Sequence, residues 1–187
     1  MPSFPNLERP LEGDAVMLRF AAERDIPEIL IAHQDDPELH TRLGSGRAPS
    51  GAELGRRTEA EPAERQAGIG VRLTILEPDS DICRGQLDVH RVDAEQHRAE
   101  IGIWVASGWR GRGLGSGALA LAGRWLLQDC GMAAAELLTE PDNQPMIRAA
   151  RAAGFRQEEV LRAFVHERAH RLDLTVMSLG RSDLEPS

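Results

Sequence analysis

The stretch Arg110-Gly111-Arg112-Gly113-Leu114-Gly115-Ser116-Gly117 puts glycine at every second position and interleaves two arginines. It follows a strand-like run, Glu100-Ile101-Gly102-Ile103-Trp104-Val105, and opens a helix that the pattern carries to about Asp129, with a stop at Gly131. Strand, glycine-rich turn and helix in that order form a device for holding phosphate. Glycine lets the backbone approach closely and adopt positive φ. The unpaired amides at a helix start carry about half a positive charge and point it at an anion. Arg110 and Arg112 can add charge-assisted contacts. An ordinary flexible loop is the plainer reading, but four glycines and two arginines between strand and helix speak against it.

Composition narrows the choice of ligand. All 22 basic residues are arginine and there is no tyrosine. A P-loop is therefore excluded, as are Schiff-base chemistry and a pyridoxal phosphate anchor, because each needs a lysine. A GC-rich genome is the simplest source of such usage. Gly113-x-Gly115-x-x-Ala118 fits a dinucleotide fingerprint, and Glu140 lies where a ribose-binding acid would sit. Only 47 residues follow Glu140, however, too few for the remaining βαβ units, and the residues before the turn read as hairpins rather than crossovers.

The 187 residues, 41% hydrophobic and 28% charged, suffice for one domain over 1–187 with a core at about 10–180. The net charge of −8 argues against a general nucleic-acid binder. Within that total, Arg98 to Leu172 holds 10 arginines against 8 acids, and the remainder 12 against 22. A mildly basic segment in an acidic chain suits an anionic ligand. Cys83 and Cys130 make neither a metal cluster nor a disulfide framework. The start, MPSFPNLERP, lacks the pattern of a signal peptide, and no run approaches the roughly 18 apolar residues of a membrane span. The expectation is a cytoplasmic protein without membrane or nucleic-acid partners.

Periodicity supplies the other elements. Strands are expected at about 14–20, 69–76, 82–92, 100–105, 133–140, 155–165 and 171–179. Asp25-Ile26-Pro27-Glu28 opens a helix to about His33, another starts at Asp36-Pro37, and Ser50 with Glu53 has capping-box spacing before a third. Asn143 and Gln144 precede Pro145 and a helix ending at Gly154. The final two strands join through a loop around Glu167-Arg168.

Taken together, these motifs resemble the GCN5-related N-acetyltransferases, within them the ribosomal-protein N-acetyltransferase (RimJ/RimL-like) branch. Leu18-Arg19 followed by Asp25, the strand Ala99 to Val105, Arg110-x-x-Gly113-x-Gly115 as the superfamily's acyl-CoA signature, Asn143, Gly154-Phe155 and Asp173 all fall at family spacing. The resemblance implies an α/β (α+β) fold with a mixed, mostly antiparallel, seven-stranded sheet flanked by helices and splayed at its centre. It implies acetyl-CoA as cosubstrate and no metal. Amides of Gly111, Arg112, Gly113, Leu114, Gly115 and Ser116 would hold the pyrophosphate, with Arg110 and Arg112 flanking. The Val105 backbone would face the thioester and polarise its carbonyl, and Asn143 would bind the pantetheine arm or simply cap its helix. Relatives often dimerise, so a homodimer is implied as well.

Catalysis departs from the family pattern. Glu100 stands where related enzymes carry a general base, acting through water, or it is a strand-end glutamate paired with an arginine such as Arg98. Many relatives use a tyrosine as acid, which this chain lacks, and Met146 replaces the branch's usual serine. Ser107, Ser116 and His166 are the remaining candidates, although a thiolate of pKa about 8.5 can leave unaided. Deprotonating a lysine-like amine at pH 7 costs roughly 4.6 kcal/mol and an α-amine only about 1 kcal/mol. Sparse acid–base equipment therefore suits a low-pKa amine, on a protein N-terminus or a small molecule. Competing readings are a CoA-binding sensor or scaffold of weak or lost catalysis, and transfer of a larger acyl group such as succinyl. The spacing of His90 and His97 gives no support for zinc. Trp104, Trp109 and Trp125 suit core or cleft wall, and Arg148 to Arg151 either touches the coenzyme's 3′-phosphate or forms a solvated helix face.

Overall fold

A computed structural model describes residues 4–165 and 171–184; the loop around Glu167-Arg168 and His166 lie outside them. Eight strands form one sheet in the order β1-β2-β3-β4-β5-β6-β8-β7. They are β1 (Leu11–Glu12), β2 (Met17–Phe20), β3 (Val71–Leu76), β4 (Gly85–Asp93), β5 (Arg98–Val105), β6 (Ala134–Thr139), β7 (Arg156–Val165) and β8 (Arg171–Gly180). Every neighbouring pair is antiparallel except β5 with β6. The eighth strand corrects the expected seven. Two residues carry no periodicity, and β1 exists because the turn closed by Gly13 N–H on the Val16 carbonyl (2.9 Å) folds Leu11 and Glu12 onto Leu18 and Met17. The same turn moves the expected start of β2 from about 14 to Met17.

The helices are α1 (Ile26–Asp35), α2 (Leu39–Arg42), α3 (Gly51–Gln66), α4 (Leu114–Gln128) and α5 (Gln144–Ala152). Helix α3 begins on the expected capping box: Glu53 N–H donates to Ser50 Oγ (3.3 Å) and Ser50 N–H to Glu53 Oε2 (2.8 Å). Alternation along the strands sorts side chains onto two faces. Leu73, Leu87, Ala99, Ile101 and Ile103 face α4 and α5, where Ala118, Leu119, Ala122 and Leu126 complete the main core. Cys83 and Trp104 face the other way, against Ile29, Ala32, Leu39 and Leu54 of α1–α3. Trp125 is core as well. No described helix is long and apolar enough to cross a membrane.

Candidate active site

The site is built where β5 loses its second neighbour. On one side β5 pairs with β4 from Glu100↔His90 to Val105↔Gly85. On the other, its ladder with β6 holds only Arg98↔Ala134, Ala99↔Ala135 and Glu100↔Glu136. Beyond that point both strands continue without pairing to each other, β6 remaining tied to β8 as far as Thr139↔Thr175. Ala106 N–H donates to the Arg84 carbonyl (2.8 Å), so the antiparallel ladder turns the backbone groups of Ile103 and Val105 away from β4 and into the fork. This is the splayed centre that the family resemblance implies.

At the mouth of the fork a short 3₁₀ turn, Ser107–Trp109, leads into the glycine-rich segment. Gly111 (φ 74°) and Gly113 (φ 82°) occupy the left-handed region, and a Cβ at either would meet nothing within 4 Å. The turn thus needs glycine for its backbone and leaves open space beside it. Helix α4 starts at Leu114 with no side-chain cap and no acid in its first turn. Its first internal bond runs from Gly117 N–H to the Gly113 carbonyl (2.9 Å), so the amides of Leu114, Gly115 and Ser116 precede the helical ladder. Gly115 sits against β5: a Cβ there would lie 3.8 Å from Val105 Cγ2.

The arginines divide their work. Arg110 donates from Nε to the Val105 carbonyl (2.9 Å) and from Nη2 to Asp36 Oδ2 (2.6 Å), pinning the end of β5 to the end of α1. Its guanidinium is therefore spoken for inside the fold, where the sequence suggested a flank for phosphate. Asp36 also takes Arg42. Burial would raise the Asp36 carboxyl, but the hydrogen bonds from Arg110 and Arg42 outweigh it and hold the group below its ordinary value. Arg112 lies over the Trp109 ring at 4.5 Å, with Arg84 on that ring at 3.7 Å. Arg112 has no acidic partner among the described residues and is the cation left beside the turn.

Glu100 lies between an imidazole and a guanidinium. Its Oε1 lies 3.3 Å from His90 Nε2 and its Oε2 3.0 Å from Arg91 Nη1. Arg98, the partner the sequence suggested, instead binds Glu136 Oε1 at 2.6 Å. The register explains the exchange: Glu100 and Glu136 face each other across the parallel ladder, and each like charge takes a separate cation. Burial pushes the Glu100 carboxyl up, yet hydrogen bonds and charge from His90 and Arg91 bring it below the usual carboxylate range. His90 is raised above an ordinary imidazole, first by its hydrogen bond to Glu100, against burial, and further by Asp88.

Asn143 caps α5, accepting from Met146 N–H (3.3 Å) and donating to Thr139 Oγ1 (3.0 Å). Met146 packs on the main core, and Ser116 Oγ donates to the Gly113 carbonyl (3.1 Å) as a helix-start residue. Ser107 opens the 3₁₀ turn. Arg148 is exposed, and Arg151 donates to Gln157 Oε1 (2.9 Å). His97 meets the Gly131 carbonyl at 3.1 Å, away from the His90–Glu100 pair. Among the described residues no group of three or more His, Cys, Asp and Glu could hold a metal ion. Burial pushes the Cys83 thiol up to about 12, seconded by Asp25, so it is no nucleophile at neutral pH.

Sequence reading missed Asp36, Thr139 and the pairing of His90 with Glu100. The last carried no local signal: the ladder shifts register between His90 and Asp93, and that shift sets His90 rather than Arg91 opposite Glu100.

A sheet forked between its parallel strands, with uncapped helix amides at the mouth, defines an acyl-transfer architecture of the α/β class. Residues 15–156, well over half the chain, match the model described as the acetyltransferase (GNAT) domain, and the chain belongs to that family. Among solved structures it resembles Mycobacterium smegmatis RimJ in complex with CoA-disulfide, at 21% identity and TM-score 0.77 over 95% of this chain and 92% of that one. It also resembles the ribosomal-protein-S5-alanine acetyltransferase of Vibrio fischeri, at 13% identity and TM-score 0.81 over 96% and 100%. A third is the Salmonella typhimurium acetyltransferase that modifies the N-terminal serine of the 50S subunit protein L7/L12, at 17% and 0.77 over 92% and 99%. At these identities the likeness is one of fold. No curated protein matches the chain.

Proposed function

We propose that this acetyltransferase moves an acetyl group from acetyl-CoA directly to an amine of low pKa, a protein N-terminus or a small-molecule amine. One observation carries the reading: unpaired first-turn amides of α4 open onto the fork between β5 and β6, beside the glycines at 111 and 113. The residues present fit a thioester of coenzyme A. Amides of Gly111 through Ser116 suit its pyrophosphate, with Arg112 as the free cation, and the open space at Gly111 and Gly113 admits the phosphate oxygens. The coenzyme supplies the activated acyl group. The chain's own backbone at Ile103 and the Val105 amide would supply hydrogen-bond partners along the fork, and that amide would polarise the acyl carbonyl. Arg110 serves the same site by fixing the Val105 carbonyl, which leaves the amide as the open backbone group of that residue. Asn143 holds the far rim through Thr139. Glu100 is the carboxylate of the proton-accepting apparatus.

The Salmonella typhimurium protein modifies the N-terminal serine of L7/L12 and that of Vibrio fischeri is a ribosomal-protein-S5-alanine acetyltransferase, which supports an α-amine acceptor, as does the absence of any tyrosine acid. Thiol release from acetyl-CoA, measured with a panel of N-terminal peptides, lysine side-chain peptides and small amines, tests this. A preference for α-amines is the expected result, and a clear lysine preference would sink that part. Tight binding of acetyl-CoA without turnover on any amine would favour a sensor or scaffold, and faster turnover with succinyl-CoA a larger acyl group.

A further inference from the structure

We propose that Gln86, His33 and Trp104 hold the body of the acceptor and select a peptide, hydrogen-bonding its first peptide groups; this deepens the transferase reading above by naming the acceptor class, and rests on it. The three side chains line one groove of about 560 Å³ between the α1–α3 helices and the sheet. Each is nine-tenths or more buried, at 6%, 9% and 9% exposure. None of the three side chains hydrogen-bonds to a described residue, whereas buried polar groups nearly always have a partner. Of their nitrogens and oxygens only His33 Nδ1 is sealed. His33 Nε2, the Trp104 indole N–H and both ends of the Gln86 amide reach the groove.

Strand alternation and the end of α1 bring them together. Gln86 and Trp104 are paired across β4 and β5 and face α1–α3, while Leu87 between the ladders turns to the main core. His33 comes down from the last turn of α1, its ring centroid 6.4 Å from that of Trp104. Three residues on, Asp36 takes Arg110, which also holds the Val105 carbonyl, so the His33 end of the groove lies beside the end of β5. The groove stops at Trp104, one residue or about 3.4 Å of strand short of Val105, and contains no residue of the glycine-rich turn. It therefore suits the body of an acceptor whose amine extends past Trp104 to the thioester, and the reacting atoms lie outside it.

The three groups are neutral, and that selects among amines. The Gln86 amide donates and accepts, the indole only donates, and an uncharged imidazole does one of each. Burial, seconded by the charge of His40, holds His33 below an ordinary imidazole. The charges of the groove are paired or stand at its rim: Asp88 with Arg72 at 2.6 Å, Glu61 with Arg65 at 3.8 Å, and Arg57 and Glu64 exposed on α3. Ile29 and Leu54 supply apolar walls. A polyamine asks for carboxylates where this floor has an amide and an indole, and a free amino acid asks for a cation beside its carboxylate. A peptide brings N–H donors and carbonyl acceptors without charge, which is the complement of this floor.

The probe is a short peptide with a free N-terminal alanine and an amidated C-terminus, added to the full chain saturated with coenzyme A. Its binding is expected to shift the NMR resonances of the Trp104 indole N–H and the Gln86 side-chain amide. Gln86→Leu exchanges an unpartnered amide for an apolar group of similar size, so it should unfold in urea no earlier than wild type and keep its acetyl-CoA affinity. Its KM for the peptide, read by thiol release, is expected to rise about tenfold to a hundredfold, with the loss in KM rather than kcat. Wild type is expected to acetylate the peptide with a higher kcat/KM than spermidine, a polyamine without peptide groups. A KM for the peptide within about twofold of wild type in Gln86→Leu would overturn the proposal, as would a preference for spermidine. Turnover of the peptide without shifts at Trp104 and Gln86 would overturn it too and leave the transferase reading intact. Those shifts with no turnover on any amine would instead overturn the transferase reading, with the groove still a peptide site.

Discussion

Two polar assemblies in this protein are resolved in opposite ways. At the start of the chain, Asp25 is 1% exposed, and its carboxylate accepts from Arg19 Nη2 (2.6 Å), Arg19 Nη1 (3.0 Å), Ala22 N–H (2.9 Å) and Thr74 Oγ1 (2.6 Å). Arg19 reaches on to Asp81 at 2.7 Å. Every charge there is answered from within the chain. At the Gly111–Ser116 turn the reverse holds: no side-chain cap, no acid in the first turn and no Cβ at either left-handed glycine. Closed satisfaction marks a strut of the fold, whereas the donors left without protein partners at the turn are where we propose that an anion binds.

The comparison can be broken first at the strut. Asp25→Ala leaves Arg19 buried without its main partner, and we expect a loss of about 3–5 kcal/mol in urea unfolding. Acetyl-CoA affinity of the folded fraction should be unchanged; a small stability loss with collapsed affinity would put Asp25 in the site instead. Arg110→Ala removes two bonds that join the closed scaffold to the open turn, and roughly 1–3 kcal/mol should follow. The Asp36 contribution has a definite sign. Its folded carboxyl lies below the unfolded value, so the stabilisation is present above about pH 4 and is lost as pH falls through the depressed value. Acid unfolding of Arg110→Ala should therefore begin at higher pH than that of wild type.

The smallest stability effect belongs to His90 and Glu100, a partly exposed pair worth under about 1 kcal/mol. Glu100 is depressed when folded, so its part exists above the unfolded carboxylate value and fades as pH falls. His90 is raised, so its part is complete below about 6.5 and fades as pH rises through its folded value. The stability difference between wild type and His90→Gln should accordingly be greatest between about pH 4.5 and 6.5, measured by urea titration at several pH values.

Much of this is legible in the sequence alone. The Ser50–Glu53 box, the helix opened by Gly113 and the hairpin strands rest on local chemistry, which a sequence carries in neighbouring residues. Arg19 and Asp25, noted as a family signature, turn out to be a strut, because only the sheet brings Thr74 and Asp81 to them. The bond from Arg110 to Asp36 spans 74 positions, and the exchange of Arg98 from Glu100 to Glu136 depends on a parallel ladder. Such pairings follow from strand order and register, which neighbouring residues do not encode. The two-residue β1 was illegible for a simpler reason, having no period to read.

Ser116→Asp tests the open turn most directly, because a carboxylate in the first turn of α4 acts on stability and affinity in opposite directions. It should stabilise the helix by about 0.3–1 kcal/mol through the dipole while repelling a bound pyrophosphate. Calorimetric titration of coenzyme A into wild type and Ser116→Asp, with urea unfolding of both, reads the two effects together. We expect affinity to fall by about tenfold to a hundredfold in a variant at least as stable as wild type. Equal affinity in the two proteins would contradict the assignment of the turn as the phosphate site.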